Sequence, residues 1–411
     1  MSDEFLVLIC SVCLHNELEP VINLPDSPIA DAFSFDAKDS LNAKRYPLVV
    51  NICHNCGHLQ LSHHLPTKLL FKNYTYKSSN NQSLVDHFQK YAQNLSNKFS
   101  LDKNSFVIDI GSNDGTFLKN FSEEGIRTLG IDPADDIAKL AIENGVDTIN
   151  DIFCLRVAKE ISQSFGKADL ISANNVFAHI SEVREIVEAV SFLLKDSGTF
   201  VFEVSYAPDI INKKLFDTIY HEHLFYYCLA PIVRLFKDFK LQVFDFDRIS
   251  SKGGSIRVYV KKDFNIPVPN KVGLLLKQEE SIGFQSVELY RAYNASIERQ
   301  KLQTLEFFEK IVKRQNSIIA YGASATVTTL VNTLEIENYF DYIVDDNHIK
   351  NGSYLPGTSL QIKNKVPLGN DIPSAICILA WNYSTKIIAK NKGYSDKGGT
   401  FIVPMPNIEI F

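Results

Sequence analysis

Short apolar runs closed by a glycine or an acid recur along this chain, each followed by a stretch with helical spacing. Residues 105–118, "SFVIDIGSNDGTFL", set Phe106, Val107, Ile108 and Ile110 in a run expected of a buried parallel strand, then a glycine turn, then a helix. "TLGIDP" predicts a second strand ending at Asp132, "ADLISANNVFAHI" a third running into Asn174 and His179, and "GTFVFEVSY" another ending near Glu203 and Tyr206. The pattern returns late in the chain. "NSIIAYGASATVTTLV" reads as strand, turn and helix, "DYIVDDN" as a strand, and "SAICILAWNYSTKII" as strand and helix. Between the two blocks, residues 274–315 carry helical periodicity with many charges and predict one long helix bridging domains. Near the N-terminus, "EPVINLPDSPIADAF" has the Pro and Asp content of an inserted loop.

The length of 411 residues accommodates two or three domains. A net charge of -6 gives no basic footprint, so nucleic acid is not an expected partner. No apolar run approaches the roughly 20 residues of a membrane helix, and "MSDEFLVLICSVC" lacks the features of a signal peptide. A cytoplasmic protein with no membrane contact and no obligate protein partner is expected.

Four of the seven cysteines form two C-x-x-C pairs, Cys10/Cys13 in "CSVC" and Cys53/Cys56 in "CHNCGH". Two such turns bring four thiolates onto one tetrahedral zinc, with His54 and His58 as possible substitutes. A site closed by four thiolates has no open position, so the expected Zn2+ is structural.

The turn "DIGSNDG" carries acids at Asp109 and Asp114, which disfavour a pyrophosphate and favour a ligand with cationic groups. S-adenosylmethionine fits that chemistry, and the turn resembles the first motif of class I methyltransferases. Asp109, Gly111, Asn113, Gly115, Asp132 and Asn174 are the expected cofactor contacts, with Asp132 placed for the ribose hydroxyls.

Taken in order, the C-x-x-C pairs, "NYTYKSS", "FAHI", "FDTIYHEHLFYY", "KGGSIRV", "AYGASAT", "YLPGTSL" and "AWNY" resemble the sugar C-methyltransferases that act on nucleotide-linked keto-deoxysugars. The resemblance covers nearly the whole chain. It implies an α/β protein with a small N-terminal zinc-binding domain (1–70), a class I, Rossmann-like methyltransferase domain (71–262) and a C-terminal Rossmann-like α/β domain (263–411) that contributes to nucleotide-sugar binding. It also implies catalytic roles for Tyr74 (with Tyr76 as the alternative), His179, Tyr220, Glu222 and His223, and no assigned role for His221.

Carbon methylation needs a carbanion, and a sugar carbon beside a ketone supplies one on losing its α-proton. His223 is the expected base, with Glu222 or another carboxylate orienting its ring. Tyr220, His179 and Tyr74 are candidates to steady the enolate oxygen. Histidines offset by two do not match the i, i+4 spacing of a helical metal site, so "YHEH" reads as proton-transfer chemistry. The turn "YGASA" opens a helix whose N-terminus suits a phosphate, although Thr326 stands where the resembled enzymes often carry lysine. The competing readings are an NAD-dependent nucleotide-sugar oxidoreductase or epimerase, and a non-catalytic nucleotide-sugar binding protein.

Overall fold

The computed structural model describes residues 4–70, 77–250, 253–262, 269–312, 317–368 and 372–411. Three sheets organise these residues. The central one has seven strands, in the order 242–249, 255–261, 194–205, 168–174, 106–110, 127–131 and 148–149. Its five strands from 194–205 to 148–149 are parallel, and the two at the other edge are antiparallel. Phe106–Ile110 is buried at every position, which is why its sequence is almost continuously apolar. The carboxyl ends of the parallel strands therefore line up at one edge, where open α/β sheets take ligands.

The rear sheet runs 362–363, 343–344, 318–321, 375–378, 400–403 and 409–410, parallel except for the last pair. It is the second α/β layer that the late glycine turns predict.

The front sheet holds a surprise. Its four antiparallel strands are Leu18–Pro28, Arg45–Cys53, Leu59–Leu61 and Phe225–Tyr226. The fourth strand comes from the segment directly after "YHEH", pairing Leu59 with Tyr226 and Gln60 with Phe225. The block that carries the candidate chemistry is thus built into the cysteine-bearing sheet.

Two expectations are corrected. The segment read as a loop is largely the strand Leu18–Pro28. It lies at the sheet's edge, where proline is tolerated, and its register slips between Pro20 and Ile22 and between Leu24 and Ser27. The single long helix is two, Asn270–Ile282 and Val287–Val312. Gly283, at φ +88°, closes the first in a left-handed conformation that a side chain disfavours.

The first of these helices reaches across to the central domain. Glu279 is buried, and its carboxylate accepts the backbone N–H groups of Leu229 and Ala230 at 2.7 and 3.1 Å and the Tyr206 hydroxyl at 2.5 Å. It caps the helix Leu229–Asp238 from a distant part of the sequence, where a negative charge also suits the helix dipole.

Candidate active site and metal centre

The sulfurs of Cys10, Cys13, Cys53 and Cys56 lie within 4.8 Å of one another. Cys10 and Cys56 are 3.6 Å apart, and Cys13 and Cys53 3.5 Å. Tetrahedral Zn–S bonds of about 2.3 Å place sulfurs about 3.8 Å apart, so the donor set fits zinc. Both turns are shaped by backbone bonds, Leu14 N–H to Cys10 O and Gly57 N–H to Cys53 O. The contact between the two sulfurs draws the Cys10 pKa down and pushes that of Cys56 up, so without metal the pair shares a proton. Neither nearby histidine is required. His54 pairs with Glu19 at 2.9 Å, and His58 is buried against the rings of Phe225 and Tyr227.

At the carboxyl edge of the central sheet, Gly111 (φ +67°) and Gly115 (φ +78°) turn the chain from strand to helix. A side chain at 111 would strike Val176. Asp109 is buried, accepting from Ser172 Oγ at 2.6 Å and Asn174 Nδ2 at 3.3 Å, and burial pushes its pKa up to about 7. Asn174 Oδ1 and Ser112 Oγ are buried with no hydrogen-bond partner among the described residues, two polar atoms suited to a bound ligand. Asp132 takes the N–H of Asn113 on one oxygen and that of Ala134 on the other, leaving each oxygen a lone pair for a ribose hydroxyl. Asn113, at φ +50°, accepts the Ser78 N–H at 2.8 Å, and Asp114 accepts that of Ser79 at 2.9 Å, which ties the start of the helix Gln82–Phe99 to this turn. These residues fit S-adenosylmethionine.

The "YHEH" block lies beside this edge. His223 Nδ1 is 2.8 Å from the Thr218 carbonyl, which can only accept, so Nδ1 carries the proton. Nε2 is then the basic nitrogen, and it accepts from the Tyr220 hydroxyl at 2.9 Å. The His179 ring stands edge-on to His223, centroids 4.9 Å apart. This constellation sets a phenol and a second imidazole against the basic nitrogen of His223. Among the described residues the Thr218 carbonyl orients the ring, and Glu222 makes no hydrogen bond to it.

Glu222 is buried and forms no hydrogen bond with the described residues. Burial, and then the charge of Asp31, raise its pKa to about 8. His221 points away into the front domain. It is fully buried, edge-on to Tyr46 and 3.3 Å from the Tyr46 carbonyl, and burial lowers its pKa to about 4. Tyr74 and Tyr76 lie outside the described residues.

Comparison with known proteins decides the affiliation. Residues 10–71 match a zinc binding domain, residues 85–245 a methyltransferase domain, and residues 250–406 the family described as C-methyltransferase C-terminal domain. The C-methyltransferase NovU of Streptomyces niveus is 31% identical over 97% of this chain and 95% of its own length. The chain belongs to the C-methyltransferase family. It is an S-adenosylmethionine-dependent enzyme with a zinc-binding front domain. Among solved structures, magnesium protoporphyrin IX methyltransferase from Synechocystis PCC 6803 matches 44% of this chain and 81% of its own, with 14% identity and a TM-score of 0.33. The PH0226 protein of Pyrococcus horikoshii OT3 matches 48% of this chain and 100% of its own, with 15% identity and a TM-score of 0.38.

In this C-methyltransferase the rear turn adds residues that the sequence did not single out. The helix Ala325–Leu334 begins after Ser324 with no side-chain cap. Lys350 donates to the Ala323 carbonyl at 2.6 Å, so an ammonium group sits at the mouth of the turn near Thr326. Asp345 accepts the Ala323 N–H at 2.7 Å. Thr328 Oγ1 donates to the Ala30 carbonyl at 2.8 Å, joining this helix to the front domain beside Asp31. Among the described residues, no helix is long and apolar enough to cross a membrane.

Proposed function

We propose that the enzyme methylates a carbon next to the ketone of a nucleotide-linked keto-deoxysugar, with C-3 of a 4-keto-6-deoxyhexose as the expected position, in the making of a branched sugar. The observation that carries this reading is the Thr218 carbonyl on His223 Nδ1, which leaves Nε2 as a base facing a phenol. S-adenosylmethionine, when bound, supplies the electrophilic methyl group and departs as S-adenosylhomocysteine.

His223 takes the α-proton on Nε2 and becomes an imidazolium, still held by Thr218. The electron pair of the broken C–H bond moves into the enolate. Tyr220, released from Nε2, donates to the enolate oxygen, and His179 stands close enough to join it. Glu222, held protonated by burial at neutral pH, is a donor for a sugar hydroxyl. Asp109, Gly111, Asn113, Gly115, Asp132 and Asn174 bind the cofactor. At the start of the helix Ala325–Leu334, Lys350 offers a cation to the diphosphate, opposed by the Asp345 carboxylate that already holds the Ala323 N–H.

The test is a panel of nucleotide-linked 4-keto sugars incubated with enzyme and S-adenosylmethionine and read by mass spectrometry. One methyl group added to carbon, with loss of the α-deuterium from a labelled substrate, is the expected result. Methyl addition that leaves the α-deuterium in place would overturn the enolate route. Transfer to none of the panel would overturn the substrate class.

A further inference from the structure

The motif "AWNY" has no place in the chemistry above, yet its tryptophan reaches the catalytic block. Trp381 Nε1–H donates to Asp217 Oδ2 at 2.7 Å, across 164 residues of sequence. Asp217 is buried, in the short turn Phe216–Thr218. The next residue, Thr218, is the one whose carbonyl holds His223 Nδ1. The residue after that, Ile219, offers its carbonyl to Thr329 Oγ1 at 3.2 Å. The turn that orients the imidazole is therefore pinned on both sides by the rear domain, once by Trp381 and once by the helix Ala325–Leu334.

We infer that Asp217 and Trp381 form a positioning pair through which the rear domain fixes the ring orientation and the tautomer of His223. The inference rests on His223 being the base of the reading above.

Three observations set this apart from ordinary packing. The first is where Trp381 is anchored. It follows the strand Ala375–Ile378 at the carboxyl edge of the rear parallel sheet. The N–H groups of Leu379 and Ala380 both donate to the Tyr321 carbonyl, and a Cβ on Gly322 would meet that of Ala380 at 2.4 Å. The Trp381 turn and the "GASA" turn are thus clamped together at the crevice where such sheets take ligands. Both walls of that crevice lead to the turn at 216–218.

The second is the residue type. Asp217 Oδ1 is buried and bonded to no described residue, and burial raises the pKa of this carboxyl to about 6. Burying a carboxyl group is costly. The third is the surroundings. The hydroxyls of Tyr226 and Tyr293 are also buried without a described partner. Tyr226 lies three residues beyond His223 in sequence, on the strand that follows the catalytic block.

The test uses the full-length zinc-loaded enzyme and four variants: Trp381→Phe, Asp217→Ala, Asp217→Asn, and His223→Gln to assign the His223 nitrogen signals. Long-range nitrogen–proton NMR reads the tautomer without substrate. The wild type should show His223 protonated on Nδ1. Trp381→Phe and Asp217→Ala should lose that single tautomer. Their kcat should fall roughly tenfold, part of the 10²–10⁴-fold that a positioned base contributes, with KM for S-adenosylmethionine unchanged. Asp217→Asn keeps an acceptor for Trp381 and should restore both readouts. An unchanged His223 spectrum in Trp381→Phe overturns the inference, as does a loss of thermal stability in both variants with tautomer and kcat intact. If the variants shift the spectrum as expected while the wild type methylates no keto sugar, the substrate reading falls and the positioning pair stands.

Discussion

The hydroxyl of Tyr220 lies 2.9 Å from Nε2 of His223, on the side of the ring opposite the bond to Thr218. A phenol so placed is a donor to Nε2 of the neutral ring, the form that acts as a base. His223→Gln should therefore bind both ligands and lose about 10²–10⁴-fold in kcat. A loss below tenfold in a steady-state assay, with affinities intact, would remove His223 as the base. Tyr220→Phe should lose less, since His179 remains at hand.

Asp132 makes a prediction about affinity. Its two oxygens hold the turn through Asn113 and Ala134 and have capacity left for two hydroxyls. Asp132→Ala should weaken S-adenosylmethionine by about 1.5–3 kcal/mol, as for hydrogen bonds to a charged group. Calorimetric titration checks it, and unchanged binding would take Asp132 out of the site.

Zinc should matter to the chemistry as well as to the fold. Because Phe225–Tyr226 is a strand of the cysteine-bearing sheet, loosening that sheet frees the end of the "YHEH" block. Cys53→Ser, or removal of zinc by a chelator, should raise amide hydrogen exchange at Leu61 and Phe225 first. Metal analysis should find one zinc per wild-type chain. Exchange confined to residues around the cysteines would contradict the coupling.

Glu222 predicts a pH dependence of stability. Its folded pKa, about 8, is above the usual carboxyl value near 4.3. Between those values the folded state binds the extra proton, so stability falls as pH rises through this window and levels off above it. Glu222→Gln has no such proton to lose. In thermal unfolding, the variant should gain on wild type steadily from pH 5 to pH 8 and hold a constant advantage beyond. A difference independent of pH would mean that Glu222 ionises normally.

Much of this was legible in the residues. The strands 106–110, 127–131 and 168–174 are short apolar runs that end at glycine or polar turns, and the cofactor turn follows from "DIGSNDG". The metal cluster was legible because C-x-x-C fixes thiol geometry within a single turn. Leu18–Pro28 was not, because its prolines signal a loop unless the strand is known to be at an edge. The break at Gly283 was hidden by a charge pattern that runs through it. The orientation of His223 was not legible at all. A backbone carbonyl performs it, and carbonyls leave no residue-type signature. Trp381 carries one in "AWNY" and Asp217 one in "FDTIYHEH", but nothing in a linear pattern says what a tryptophan will meet 164 residues away.

The borrowed fourth strand also bears on how the molecule is made. The ribosome delivers Leu59–Leu61 long before Phe225–Tyr226. Until the later strand emerges, the nascent front sheet has an open edge, the kind of surface on which neighbouring chains pair wrongly. All four cysteines, however, have been synthesised by residue 56. Early capture of the ion would hold the three-stranded remnant in shape, as a pre-set dock, while the following 160 or so residues are added. A chaperone's task would in this way fall to a metal.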